Sequence, residues 1–272
     1  MTKMVRKQAG TSLVELISLA GKTALVTGAA AGMGAAIARR FAEAGAHLHL
    51  LDVDQAGVEA LARELAAAGT TVHAHTVDLA NRAAIDRFWH EIAANEPDIL
   101  VNNAGIFPFC NFLESDEALV QRVMAVNLYA VYWLCQHFVR CRLEHGGGGA
   151  IVNISSVEAM LSFKEDLAHY TIGKAGVVAL TRALSRDYGR HGIRANVVLP
   201  GAINTGGTRR AKREVWRDPN LLRDGFHFQA RLSLGRWGNA DEVARIVLVL
   251  ASDLASYMSG AVVPVDGGFL SA

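Results

Sequence analysis

Short apolar runs alternate with longer amphipathic ones along most of the chain. Thr23-Ala24-Leu25-Val26 reads as a buried strand, and Met33 to Ala44 as a helix that stops at Gly45. His47 to Leu51 reads as a second strand, followed by a helix over about 55–68. A third strand covers Thr71 to Thr76 and a helix Arg82 to Ala94; Ile99-Leu100-Val101 is a fourth strand, before a long helical stretch over about 115–141. The four-glycine turn Gly146 to Gly149 leads into a fifth strand, Ala150 to Ile154, and a helix over about 166–189. A sixth strand, Arg194 to Leu199, precedes a charged segment at 204–236, a helix at 240–251 and a last strand at 261–265.

Strands that are apolar on both faces and separated by helices predict a parallel sheet covered on both sides. Right-handed crossovers make that a doubly wound α/β fold of about seven strands with helices on both faces. No internal repeat or linker interrupts it, so residues 19–272 read as a single domain. Residues 1–18 read as a surface extension: Lys3, Arg6 and Lys7 precede a short apolar run, but Glu15 breaks it and no A-x-A-like site follows. No window reaches about 18 uninterrupted apolar residues, so no membrane span is expected. The expected location is the cytoplasm.

Composition adds exclusions. The 272 residues are 51% hydrophobic and 19% charged, and 27 Lys and Arg balance 26 Asp and Glu for a net charge of +1. That balance gives no reason to expect nucleic acid or an acidic membrane as partner. Three cysteines, Cys110, Cys135 and Cys141, with no CxxC pair argue against a disulfide framework or a zinc site. No metal is expected, and the thiols read as buried and inert.

The turn Thr27-Gly28-Ala29-Ala30-Ala31-Gly32-Met33-Gly34 joins the first strand to the first helix. Glycines there let a backbone approach a pyrophosphate, and a helix N-terminus stabilises its charge. The spacing is G-x-x-x-G-x-G rather than G-x-G-x-x-G. Asp52 ends the second strand, where a carboxylate can accept from ribose hydroxyls and repel a 2′-phosphate. Ala31 and Val53 supply no cation for such a phosphate, so NAD is the expected cofactor.

Tyr170 and Lys174 stand four apart on one helical face, and Ser156 follows the fifth strand at the sheet's carboxyl edge. A hydride leaving an alcohol requires removal of the hydroxyl proton. Free tyrosine, with a pKa of about 10, is a poor base near neutrality. An ammonium beside it and a positive nicotinamide ring are expected to lower that value. Ser156 can hold the substrate oxygen within reach of the phenol.

Taken together, these features resemble the short-chain dehydrogenase/reductase family over residues from about 19 to 270, in its compact single-domain branch. The matching segments are Thr27 to Gly34, Asp78, Asn102-Asn103-Ala104-Gly105, Asn127, Ser156, Tyr170 to Lys174, Pro200-Gly201, Gly235 to Gly238 and Val265 to Gly268. The resemblance implies a Rossmann-type fold and a catalytic tetrad of Asn127, Ser156, Tyr170 and Lys174, with Asn127 holding a water of a proton relay. It implies a cofactor site formed by Gly28, Ala31, Gly32, Met33, Gly34, Asp52, Val53, Asp78, Leu79, Asn103, Ala104, Gly105, Tyr170, Lys174, Pro200, Gly201, Ile203 and Thr205. Asp78 would bind the adenine amino group, and Ile203 and Thr205 would meet the nicotinamide carboxamide. Relatives are usually homotetramers, so a homotetramer or homodimer is expected. The segment from Ser156 to Tyr170 departs from the pattern: it is one residue longer than expected and carries Glu158, Lys164, Glu165 and Asp166.

The expected activity is interconversion of a secondary alcohol and a ketone with NAD(H), on a small to medium, largely apolar substrate. Ile106, Phe107, Pro108 and Phe109, with Met160, Leu161 and Phe163, are wall candidates. The segment at 204–236 would form a substrate lid bearing Arg209, Arg210, Lys212, Arg213, Arg217 and Arg223, with Trp216, Phe226 and Phe228 as its apolar faces. A basic lid keeps reduction of a 3-oxoacyl thioester on an acyl carrier protein as the alternative. A non-catalytic NAD-sensing scaffold is the further alternative; it would be favoured by loss of Tyr or Lys, and both are present. A hydrolase is disfavoured by the lack of a G-x-S-x-G elbow or an H-E-x-x-H helix.

Overall fold

The structure, a computed structural model, describes residues 10–206 and 229–272. Seven parallel strands form one sheet: β1 (Thr23–Thr27), β2 (His47–Asp52), β3 (Val72–Thr76), β4 (Ile99–Asn102), β5 (Gly149–Ile154), β6 (Ile193–Pro200) and β9 (Val262–Val265), in the order β3-β2-β1-β4-β5-β6-β9. The order reverses between β1 and β4, which opens a crevice beyond their carboxyl ends. The doubly wound fold expected from the sequence is borne out.

Alternation along each strand builds two cores. Ala24 and Val26 of β1, Ile99 and Val101 of β4, and Ala150 and Val152 of β5 face one layer. That layer is α2 (Gly32–Glu43), α3 (Gln55–Ala67) and α8 (Ala240–Ala251). Leu25, Leu100 and Ile151 point the other way. They meet α4 (Arg82–Glu91), α6 (Ala130–Glu144) and α7 (Ala168–Tyr188). Strands buried on both faces leave nearly every position apolar, hence the unbroken runs in the sequence.

Three features go beyond the sequence reading. Within the expected surface extension, Leu13–Ile17 form α1, and the Glu15 that breaks the apolar run closes a capping box with Ser12. A two-strand parallel pair, β7 (Ile203–Asn204) with β8 (Gly238–Asn239), brackets the segment expected to form the lid. The stretch expected as one helix over about 115–141 is α5 (Glu117–Met124), a π-helical turn at Ala125–Tyr129, and α6. The whole run Glu117–Glu144 is long and apolar enough to cross a membrane by length and composition. In the fold, its Val131, Leu134, Phe138 and Val139 are instead buried in the second core.

Candidate active site

The end of β1 and the end of β4 are stitched together by Thr27 and Asn103. The Thr27 hydroxyl accepts from the backbone N–H groups of Asn103 (3.0 Å) and Ala104 (3.1 Å), and donates to the Val101 carbonyl at 3.3 Å. The Asn103 side-chain amide donates to the Thr27 and Gly28 carbonyls at 2.9 and 3.1 Å. Gly28 holds φ +65°, and a Cβ there would lie 2.8 Å from the Ala104 Cα. A Cβ at Gly34 would overlap the Gly28 carbonyl oxygen. Both glycines are therefore demanded by the fold of the turn itself.

This turn fits a dinucleotide. Helix α2 has Ala31 as its N-cap, with no side-chain cap, so among the described residues its first-turn N–H groups have no capping side chain. Asp52 accepts from Ala30 N–H at 2.9 Å on one carboxylate oxygen and from Asp54 N–H at 3.0 Å on the other. Each oxygen keeps a lone pair for a ribose hydroxyl. The Asn103 side-chain oxygen Oδ1 is buried without a hydrogen-bond partner among the described residues, a cost the protein bears beside the turn. Thr205 packs over the turn, since a Cβ at Gly32 would meet its side chain at 3.4 Å.

The four residues of the expected tetrad come from three separate elements and converge. Ser156 caps a 3₁₀ turn, Val157–Ala159, and its hydroxyl oxygen accepts from Glu158 N–H at 3.2 Å. That leaves its O–H to donate, and it bears on the phenol of Tyr170. Tyr170 and Lys174 occupy successive turns of α7, with the Lys174 Nζ 5.8 Å from the Tyr170 ring centre. Lys174 is buried and donates to the Ile154 carbonyl at the end of β5 at 2.9 Å. A Cβ on Gly105 would sit 3.2 Å from both Lys174 Nζ and Asn127 Oδ1, so a bare backbone brings the two together.

Electrostatics here are dominated by desolvation. Burial pushes the Lys174 ammonium down to about 8. Burial likewise pushes the Tyr170 phenol up to about 12, against a hydrogen bond from Ser156 and with a further upward push from the Glu158 carboxylate. The lowering expected of Lys174 is thus not achieved by the protein's own groups. Asn127 has a further task. It lies in the π-helical turn, fully buried, and its side chain both accepts from Ile106 N–H (2.9 Å) and donates to the Ile106 carbonyl (2.7 Å). One lone pair and one proton remain to it for a water. The further task is to clamp the 105–109 loop.

The other expected residues separate by exposure. Pro200 and Ile203 are buried at the carboxyl edge, and Gly201 packs so closely on Asp266 that a Cβ would lie 2.7 Å from its Cα. Asp78 is exposed and accepts from Ala80 N–H at 2.9 Å, retaining lone pairs for a ligand. The Leu79 side chain is in the second core, which leaves its backbone to face a cofactor, and Met33 packs half-buried on the first core. Val53 is exposed. Ser155, beside Ser156, donates to the Lys174 carbonyl at 2.7 Å and serves the helix. Phe107 meets Tyr170 edge-on at 6.1 Å. Arg209, Arg210, Lys212, Arg213, Trp216, Arg217, Arg223, Phe226 and Phe228 of the expected lid lie outside the described residues.

Two residues near the site were not picked out by the sequence reading. In the sequence Glu158 is one charge in an unusual segment, yet it is buried two residues after Ser156. His169 is buried next to Tyr170 and bonds the Pro108 carbonyl at 2.8 Å, fixing the same loop that Asn127 clamps. At the opposite edge of the sheet, Glu96, Cys141 and His145 bring their donor atoms within 4.8 Å of one another, with Glu96 and His145 paired at 2.8 Å.

Comparison with known proteins gives a consistent picture. A family model described as enoyl-(acyl carrier protein) reductase matches residues 28–270. An L-rhamnose 1-dehydrogenase (NAD(P)(+)) of Azotobacter vinelandii is 37% identical over 259 residues, covering 92% of this chain and 97% of its own length. A D-threitol dehydrogenase of Mycolicibacterium smegmatis is 34% identical, covering 92% and 94%. Among solved structures, a gluconate 5-dehydrogenase of Burkholderia cenocepacia, in complex with NADP and tartrate, superposes with a TM-score of 0.86 at 31% identity, covering 96% of this chain and all of the other.

Proposed function

The chain belongs to the short-chain dehydrogenase/reductase family, an oxidoreductase of the alcohol/ketone type, and on that premise we propose that it oxidises a secondary alcohol on a polyhydroxylated carbon chain with NAD. The observation that carries this reading is the convergence of Ser156, Tyr170 and Lys174 beside the glycine turn. A bound oxidised nicotinamide would supply the hydride acceptor and a positive charge close to the phenol. The chain's own residues then do the rest. Ser156, its oxygen already bonded to Glu158 N–H, donates to the substrate oxygen and fixes it. Tyr170 takes the hydroxyl proton in oxidation and returns it in reduction. Lys174 holds the proton path beneath it, next to the Asn127 side chain.

NAD over NADP is supported by Asp52, whose carboxylate would face a 2′-phosphate, and by the lack of a cation at Ala31 or Val53. The arginines of α2 are engaged elsewhere: Arg39 with Glu64 at 2.7 Å, and Arg40 with Asp241 and Glu43. A polyhydroxylated substrate, rather than the largely apolar one expected from the 106–109 loop, is supported by the comparisons. The relatives are named for sugars, polyols and sugar acids. Assembly as a homotetramer or homodimer, a cytoplasmic location and a single domain over 19–272 complete the proposal.

The test is NADH formation with a panel of polyols, sugars, sugar acids, simple alcohols and 3-hydroxyacyl thioesters, repeated with NADP+. Preference for a polyhydroxylated compound with NAD+ is the expected result. Strong preference for the thioester would replace this reading with the acyl-carrier alternative, and a chain that binds NAD+ but turns over nothing would favour the sensing scaffold.

A further inference from the structure

We propose that Glu158 is a positioning residue for the alcohol chemistry, its carboxylate holding the 158–164 wall of the pocket in place against Ser156 and Tyr170. This rests on the functional reading above and names the residue that shapes the same site. Glu158 is 5% exposed, and its side chain turns back on its own loop. One carboxylate oxygen accepts from Phe163 N–H at 3.0 Å and the other from Lys164 N–H at 3.3 Å. Its backbone N–H meanwhile donates to the Ser156 hydroxyl. A single residue thus ties the reacting serine to the far limb of the loop. Phe163 continues the chain of contacts, packing edge-on against Phe269 at 5.3 Å, and the Arg231 guanidinium lies 5.1 Å from the centre of that ring.

A neutral side chain such as Asn or Ser closes a turn of this kind without burying a charge. Burying a carboxylate against two neutral amides is costly, because the hydrogen bonds only partly offset lost hydration. Burial pushes the Glu158 carboxyl upward, while Phe163 N–H and Lys164 hold it down. The carboxylate also bears on the phenol of Tyr170 and favours its protonated form. Among the described residues, the other charged groups around this pair are Lys164 on the same loop and Lys174 beneath the phenol. His169 is turned to Pro108. The loop and π-helical turn packed on Tyr170 bring Phe107, Ile106 and Asn127, none of them charged. The C-terminal segment brings Phe269 with Arg231 over it.

The decisive variant is Glu158→Gln, nearly the same shape without the charge, studied on the best alcohol from the panel across pH. Amide exchange over residues 158–164 is followed by mass spectrometry on the same samples. The alcohol KM should rise about tenfold on loss of a charge-assisted hydrogen bond, with the KM for NAD+ unchanged. Removing the negative charge should also move the rising limb of kcat/KM for oxidation to lower pH, since the phenol then gives up its proton more easily. Exchange at 158–164 should quicken. Phe163→Ala, which keeps the charge, should raise the KM and leave the limb where it is. If both variants behave alike with the limb unmoved, Glu158 is a turn former and the proposal fails. Unchanged exchange in Glu158→Gln overturns it as well. If the wild-type chain turns over no alcohol or ketone with either nucleotide, the functional reading has failed, and the exchange rates alone decide whether Glu158 holds the wall.

Discussion

Lys174 donates to the carbonyl of Ile154 at 2.9 Å, and from that anchor its ammonium stands 5.8 Å from the ring centre of Tyr170, one helical turn away. The bond fixes a long, flexible side chain to the end of β5, where Ser156 also begins its turn. A helix and a strand thereby share one reference point, and the phenol, the ammonium and the serine hydroxyl keep their spacing without any single element being rigid by itself.

Replacing Tyr170 by Phe removes the proton carrier and leaves the ring that meets Phe107. The expected loss in kcat is about a thousandfold, the usual worth of a positioned acid–base group. Affinity for the dinucleotide, measured by fluorescence titration, should change little. A variant with turnover near that of the wild type would remove Tyr170 from the chemistry.

Lys174 also leaves a mark on stability. Its folded value of about 8 lies below the 10.5 of the free side chain, so between those values the unfolded chain binds more protons. Stability from this group therefore rises with pH through that window, and the penalty on the buried ammonium is fully present below it. The displacement corresponds to about 3 kcal/mol at most. Lys174→Met removes the dependence. The difference in unfolding free energy, wild type minus variant, should grow from pH 7 to pH 10.5, and a flat difference would show that the ammonium is not desolvated.

Much of this was legible in the sequence because the sheet is parallel and buried on both faces. Its strands are short apolar runs such as Ile99 to Val101, bounded by turn residues. The glycine turn, Asp52 and the Tyr170–Lys174 spacing were legible because each is local: neighbours in sequence that are neighbours in space. Long-range relations were not. Asn127 binding the backbone of Ile106, 21 residues away, interrupts a helix whose sequence shows no Pro or Gly to announce it. Glu158 read as one more charge in a polar loop, since nothing in a one-dimensional pattern says that its carboxylate folds back onto Phe163. The phenol's upward shift was missed for a related reason: burial is a property of the whole fold, and it outweighed the charge that spacing alone brought near.

The thiols give a check on burial that is independent of activity. Desolvation pushes Cys135 up to about 12, and Cys141 likewise, the latter also through Glu96 beside it. Thiolate is the reactive form, so neither should react with a thiol reagent at pH 8 in the folded chain. Cys110 is only half-buried. One equivalent is expected to react with the native protein and three after unfolding in denaturant. Rapid reaction of Cys141 in the native state would mean that the start of β4 and the end of α6 are not packed as described.

Asp52 does two things at once, and a test of cofactor choice has to separate them. Its carboxylate accepts from Ala30 N–H in the glycine turn, and so shapes the loop as well as, in the proposed reading, facing the ribose. Asp52→Ala would confuse the two roles. Asp52→Asn keeps an acceptor for Ala30 while removing the charge that repels a 2′-phosphate. Val53, exposed at the next position, is the natural place for a cation. Asp52→Asn should weaken NAD+ by about tenfold through the loss of charge-assisted bonds to the ribose hydroxyls, and strengthen NADP+ by relieving repulsion. Adding Val53→Arg should carry the preference to NADP+. Dissociation constants for both nucleotides, measured on the wild type and on both variants, decide the matter. If the wild type already binds NADP+ as tightly as NAD+, or if the ratio does not move on removal of the charge, then Asp52 acts only as a loop anchor and the proposed preference for NAD is wrong.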